Sequence, residues 1–259
     1  MNTSTEPGSP AGIVPLPGGV GVSQLRVYDT TAPDGLVGGT PHLHLCCTEG
    51  YVVQAGAGAV QTLTMSGFKQ TPLRPGAVAW FTPGTIHRLV NHGGLEITVL
   101  MQNSGLPEAG DAVLTFPPSV LADPERYAAA ATLPGGGAPD DAPPADGTPS
   151  ATLAAAYARR DLAVLGFEQL RAAADAGDLG PLHDFHQAAA RLVAPHLPRW
   201  RERFAAGALR AARDTAAQLD ALAAGRSDHL ADATVHGFAA PGEQGRHGMC
   251  GLLNTYPVR

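Results

Sequence analysis

Lysine is all but missing from this chain. Of its 17 lysines and arginines, Lys69 is the only lysine. Set beside 32 glycines and abundant alanine, this reads as the habit of a GC-rich bacterial source and carries no functional signal. Basic charge is short overall: the formal net charge of −6 excludes the extended basic face that a nucleic-acid groove requires. Cysteine is scarce, with Cys46, Cys47 and Cys250 alone, an odd count with two adjacent members that gives no disulfide framework. No apolar run reaches membrane-spanning length. Met1 to Gly19 lacks the basic start and apolar core of a secretory signal. The expectation is a cytoplasmic protein with neither membrane nor nucleic acid among its partners. Nucleophile motifs, P-loops and dinucleotide fingerprints are also missing. Gly56-Ala57-Gly58 follows an expected strand, but no helix follows it, so it cradles no phosphate.

Glycine and proline set the organisation of the chain. Residues 1–19 read as a loose arm rich in Pro, Gly, Ser and Thr. Residues 20–118 read as short strands punctuated by turns: Val20–Thr30, Thr40–Cys46, Glu49–Gln54, Ala59–Thr64, Gly67–Thr71, Ala77–Phe81, His87–Asn91 and Glu96–Gln102. That spacing predicts an all-β barrel or sandwich. Asn103 to Pro118 reads as an irregular return. Residues 119–150 hold a short helix opened by Asp123-Pro124-Glu125 and a Pro/Gly-rich linker from Pro134 to Ser150. Residues 151–259 change to helical periodicity, with helices expected over Ala151–Ala176, Pro181–Ala194 and Trp200–Ala224. Three helices of this size form a small bundle or pack on the barrel. The tail from Phe238 is Gly-rich and irregular in appearance. Its Met249, Leu252, Leu253 and Tyr256 predict a docked clasp, with a lid over the barrel mouth as the alternative.

Two stretches within the β region carry the chemistry. In Gly39-Thr40-Pro41-His42-Leu43-His44, alternation puts His42 and His44 on one face of a strand. Glu49 returns to that face if the chain turns within Cys46-Cys47-Thr48. His87, after Pro83-Gly84, supplies a third imidazole from a neighbouring strand. Three imidazoles and one carboxylate suit one divalent ion: Mn, Fe, Zn, Ni, Co or Cu. A five- or six-coordinate metal keeps open positions for substrate, whereas a tetrahedral one bound by all four is closed and structural. Tyr51 shares the face of Glu49 and is the candidate catalytic acid or substrate contact, a barrel tyrosine with a satisfied hydroxyl being the alternative. Cys46 is either a soft fifth ligand or a small buried hydrophobe. Asn91 reads as a turn or strand-end residue, and alternation sends Arg88 outward. His183 and His186 lie three apart on a helix with no third ligand near, and read as surface or packing residues.

These stretches resemble the two motifs of the cupin superfamily. His42, His44, Glu49 and Gly56 match the first, and Gly76, Gly84, His87 and Asn91 the second. Thr82 stands where the family has proline, with Pro83 one place later. The resemblance covers residues 20 to 105. It implies a cupin-type β-barrel or jelly roll in the N-terminal half, mainly β, followed here by an α-helical C-terminal region. It also implies the ligand set His42, His44, Glu49 and His87, and a homodimer. Cupins host many reactions. The expected functions are therefore a sugar isomerase or epimerase, a dioxygenase, or a non-enzymatic sensor of a small molecule. Few basic residues flank the motifs, which favours a neutral small-molecule substrate.

Overall fold

The computed structural model describes residues 16–139 and 148–257. Most of the expected arm (1–15) and the middle of the expected linker (140–147) lie outside the described residues. Two long strands organise the rest. Strand β3 (Glu49–Thr64) and strand β6 (Ile86–Met101) pair antiparallel from Glu49 opposite Met101 to Leu63 opposite Ile86. The first part of β3 also pairs with β5 (Val78–Phe81), and its second part with β4 (Gly67–Leu73). The far end of β6 pairs with β1 (Gly21–Val27), and its start meets β2 (His42–His44), which pairs in turn with β7 (Ala112–Leu114). Each long strand thus serves two half-sheets, and the result is the expected jelly-roll barrel.

Each long strand was expected as two short ones. They run on because the bend between half-sheets is made by bulges rather than by breaks. The β3–β6 register slips between Val53 and Gly58. Gly56 sits there at φ 72, and a Cβ on it would lie 2.0 Å from the Gly94 carbonyl oxygen. Only glycine fits, which gives the motif glycine its physical reason.

Alternation then sorts the side chains. Glu49, Tyr51 and Val53 point into the barrel, with Val60, Leu89, Ile97 and Val99. Leu43, Leu63 and Ile86 point outward, into a second core shared with the helices. Helix α1 (Pro118–Leu121) and helix α2 (Pro124–Ala131) lead to helix α3 (Ala151–Asp175). Ser150 caps α3 by accepting from the Leu153 N–H at 3.2 Å. Helix α3 buries Ala163, Phe167 and Leu170 against the barrel. Its Gly166 makes the close approach possible, since a Cβ there would lie 2.0 Å from the Thr115 carbonyl oxygen. Helix α4 (Gly180–Val193) adds Leu182, Phe185 and Ala189 to the same core.

Two expectations are corrected. The single helix expected over Trp200–Ala224 is two, α5 (Leu197–Ala206) and α6 (Ala208–Ala223), because Gly207 adopts φ −103, ψ −103 between them. The tail is not irregular. It forms strands β8 (Glu243–His247) and β9 (Gly251–Thr255), and β9 pairs with β1. Leu252 and Leu253 are adjacent and pack into different cores, as neighbours on a strand do, but glycines at 242, 245, 248 and 251 make the segment read as loop.

Candidate metal centre

Strands β2, β3 and β6 bring His42, His44, Glu49 and His87 together, with one donor atom from each within 4.8 Å of the others. His42 and His87 are direct cross-strand partners. All four are buried, His87 completely and Glu49 at 6% exposure.

Hydrogen bonds fix how each imidazole faces. Nδ1 of His42 donates to the Thr40 carbonyl at 2.9 Å, and Nδ1 of His87 to the Thr85 carbonyl at 3.1 Å. Nδ1 of His44 donates to Oδ2 of Asp111 at 3.2 Å. With Nδ1 committed to an acceptor, Nε2 is the atom each ring has left to offer a metal, His44 after giving up the proton that the Asp111 and Glu49 carboxylates stabilise on it. Oε2 of Glu49 stands 3.0 Å from His87 Nε2 and 3.3 Å from His44 Nε2. Yet Glu49 Oε2 and His87 Nε2 are buried atoms without a hydrogen-bond partner. Ligands bonded at about 2.1 Å and at right angles lie about 3 Å apart. Unpartnered donors at that separation fit a cation between them.

The metal-free electrostatics are those of a crowded ligand set. Burial opposes ionisation of Glu49, but His87 and His44 outweigh it and hold the carboxyl well below its usual range. Burial, then His87 and His44, pushes His42 well below the ordinary imidazole value, so it stays neutral. Burial would also lower His44, but the Asp111 and Glu49 carboxylates carry it up to about 9.

The other expected site residues divide. Tyr51 is buried at 1% exposure, with its ring 5.4 Å from Phe81. Burial, followed by the charge of Glu49, holds its hydroxyl well above its ordinary value. Phe81 lines the site, its ring 4.2 Å from His87, while Trp80 points to solvent. Cys46 is exposed and stands outside the ligand cluster, which corrects the reading of it as a fifth ligand or buried hydrophobe; Cys47 is the buried one. Arg88 turns away from the ligands as expected, but it is fully buried and paired with Asp34. Asn91 ties strand ends: its amide donates to the Val27 and Tyr28 carbonyls, and its oxygen accepts from Gly93 and Leu95.

Three contributors escaped the sequence. Asp111 orients His44 and accepts from the Leu45 and Cys46 N–H groups, yet it lies in the return segment with no motif around it. His186 donates from Nε2 to the Gly84 carbonyl at 3.3 Å, while the Gly84 N–H donates to the His44 carbonyl at 2.8 Å. Cys250 lies at the other end of the chain, its Sγ 3.9 Å from the Thr40 carbonyl that also holds His42. A hollow of 420 Å³, lined in part by Gly58, Arg74 and His92, shares no residue with the cluster.

No protein-family profile matches the sequence, and no curated protein does. Among solved structures, the chain is similar to the capsular polysaccharide assembling protein CapF of Staphylococcus aureus. Identity is 17% over 39% of this chain and 29% of that one, with a TM-score of 0.29. It is also similar to the WlaRA TDP-fucose-3,4-ketoisomerase of Campylobacter jejuni, at 9% identity over 35% and 64% of the two chains, TM-score 0.29. A third is the CENP-C cupin domain of Drosophila melanogaster, at 16% identity over 32% and 58%, TM-score 0.25. The matched part is less than two thirds of each solved chain. At these scores none of the likenesses bears on activity or substrate.

Proposed function

We propose that this cupin-type barrel holds one divalent transition-metal ion through His42, His44, Glu49 and His87, and acts as an oxygenase on a small uncharged substrate. The observation that carries the metal assignment is the convergence of four buried donors, two of them without any other partner. A redox-active ion held by these four residues would supply the one-electron chemistry that reaction with O₂ needs. The protein supplies the rest. Thr40, Thr85 and Asp111 hold the three imidazoles in the tautomer that offers Nε2. Tyr51 stands buried on the same barrel face as Glu49. Phe81 and the barrel leucines and valines keep water from the reacting space.

The same surroundings favour oxygenation over isomerisation. An isomerase needs a side chain free to move a proton. Asp111, Tyr51 and Cys250 are ionisable groups beside the ligands. Asp111 is committed to His44, the Cys250 thiol faces the Thr40 carbonyl, and burial holds the Tyr51 hydroxyl well above its ordinary value. The pairing of Arg88 with Asp34 engages the cation next to His87 in the chain, which a phosphorylated or carboxylated substrate would otherwise use.

Burial of all four ligands supports a second reading, in which the metal only braces β2, β3 and β6. Elemental analysis of protein purified without added metal, alongside His42→Ala and His87→Ala, tests the ligand set. The expected result is near-stoichiometric metal in the wild type and none in either variant. Full occupancy in both variants would sink the assignment. Oxygen uptake by the iron-loaded protein with small enediols, diketones or thiols supports the oxygenase. A metal that raises thermal stability without oxygen uptake leaves the bracing role in its place.

A further inference from the structure

The apolar side chains left open to solvent are concentrated on α5, α6 and the connection after them. Of the twelve large hydrophobic side chains exposed among the described residues, seven lie between residues 197 and 238. Helix α6 stands out within that stretch. It buries no residue; it packs on α5 and the turn at Pro17–Gly19, with Asp228 and His229 of the following connection beside Ala217 and Ala221. At 3.6 residues per turn, Ala212, Ala216 and Leu219 line one stripe, with Leu222 on its flank. Leu219 is 62% exposed and Leu222 50%.

Charges flank the stripe. Arg213 and Asp220 are two turns apart on the opposite flank from Leu222. Neither is in an ion pair among the described residues. Their midpoint falls beside Ala216, which is also the middle of the apolar stripe. A twofold axis through that point would lay a second α6 antiparallel on the first. Arg213 of each copy then faces Asp220 of the other, Leu219 packs beside the Arg213 stem, and the helix dipoles oppose. Ala216 at the crossing lets the backbones approach closely.

We propose that α6 is a self-association surface, and that a second copy of this chain covers it by antiparallel helix pairing. The proposal is independent of the metal site. One helix pair is a small interface, so the expected dissociation constant is on the order of 10 µM.

Sedimentation equilibrium of the full chain from about 1 to 200 µM tests it, with circular dichroism and metal content as controls for folding. The wild type should be a reversible dimer. Arg213→Asp and Asp220→Arg should each weaken it about tenfold by facing like charges. The double swap R213D/D220R should restore it to within about threefold, because the pairing is regained in reverse. Leu219→Asp should leave monomer alone. A wild type that stays monomeric throughout overturns the proposal. So does a dimer that survives Leu219→Asp, including one that Trp80→Ser dissociates through the exposed sheet face, and so does a double swap no tighter than the single reversals.

Discussion

At the residue scale, the ligands and their supports differ in how they announce themselves. His42 and His44 are legible because alternation is a local rule, and Glu49 because one tight turn returns it to the same face. Asp111 is not legible, since its pairing with His44 spans 67 positions and depends on β7 lying beside β2. Asp111→Asn should weaken metal binding about 10- to 100-fold. The amide oxygen can still accept from Leu45 and Cys46, so the loop stays formed and the loss reports on His44. Isothermal titration with Zn²⁺ or Mn²⁺ measures it, and unchanged affinity would show that Asp111 is structural only. Gly56 answers a different question, that of backbone room. Gly56→Ala must leave its positive φ or displace Gly94, at a cost of about 2–4 kcal/mol seen in urea unfolding.

At the scale of elements, the turn that carries Pro83 and Gly84 is held from two sides. The Gly84 peptide hydrogen-bonds to the His44 backbone on one side and to His186 of α4 on the other. Thr85, next along, holds His87. A histidine on a surface helix gives no sequence signal of such a contact, because the helix period says which residues share a face and not what the face meets. His186→Ala should therefore loosen the ligand set, weakening metal affinity about tenfold and altering the visible spectrum of the Co²⁺-loaded protein. His186→Gln keeps an N–H within reach of Gly84 and should recover most of the affinity. A spectrum identical to wild type in both variants would confine His186 to packing. The β8–β9 hairpin escaped sequence reading for a related reason: its glycines read as loop, while the tertiary contact that makes β9 a strand is the free edge of β1, more than two hundred residues earlier.

At the scale of the whole molecule, the change of composition near residue 150 invites a division into two independent parts, but the packing joins them. The outward residues of the barrel and the inward residues of α3 and α4 form one hydrophobic core, with Leu43 and Ile86 beside Phe167 and Phe185. Hydrogen bonds reinforce it: Thr115 Oγ1 donates to the Ala163 carbonyl, and Trp200 Nε1 donates to the Ala109 carbonyl at 3.0 Å. Leu43, lying between His42 and His44, faces that shared core, so the helices support the strand from which those two histidines project. Barrel and helices should then unfold together. The two tryptophans permit the test, since Trp80 is exposed on β5 and Trp200 is buried where α5 meets the barrel. In Trp80→Phe, fluorescence reports Trp200 alone, and in Trp200→Phe it reports Trp80. Urea transitions followed by each, and by far-ultraviolet circular dichroism, should coincide in midpoint. Phe167→Ala removes a fully buried ring from the shared core and should lower stability by about 3–5 kcal/mol, moving both transitions by the same amount. If Phe167→Ala shifts the Trp200 transition and leaves that of Trp80 in place, barrel and helices are separate folding units. The support that the helices lend to the metal-binding strand would then have to be given up.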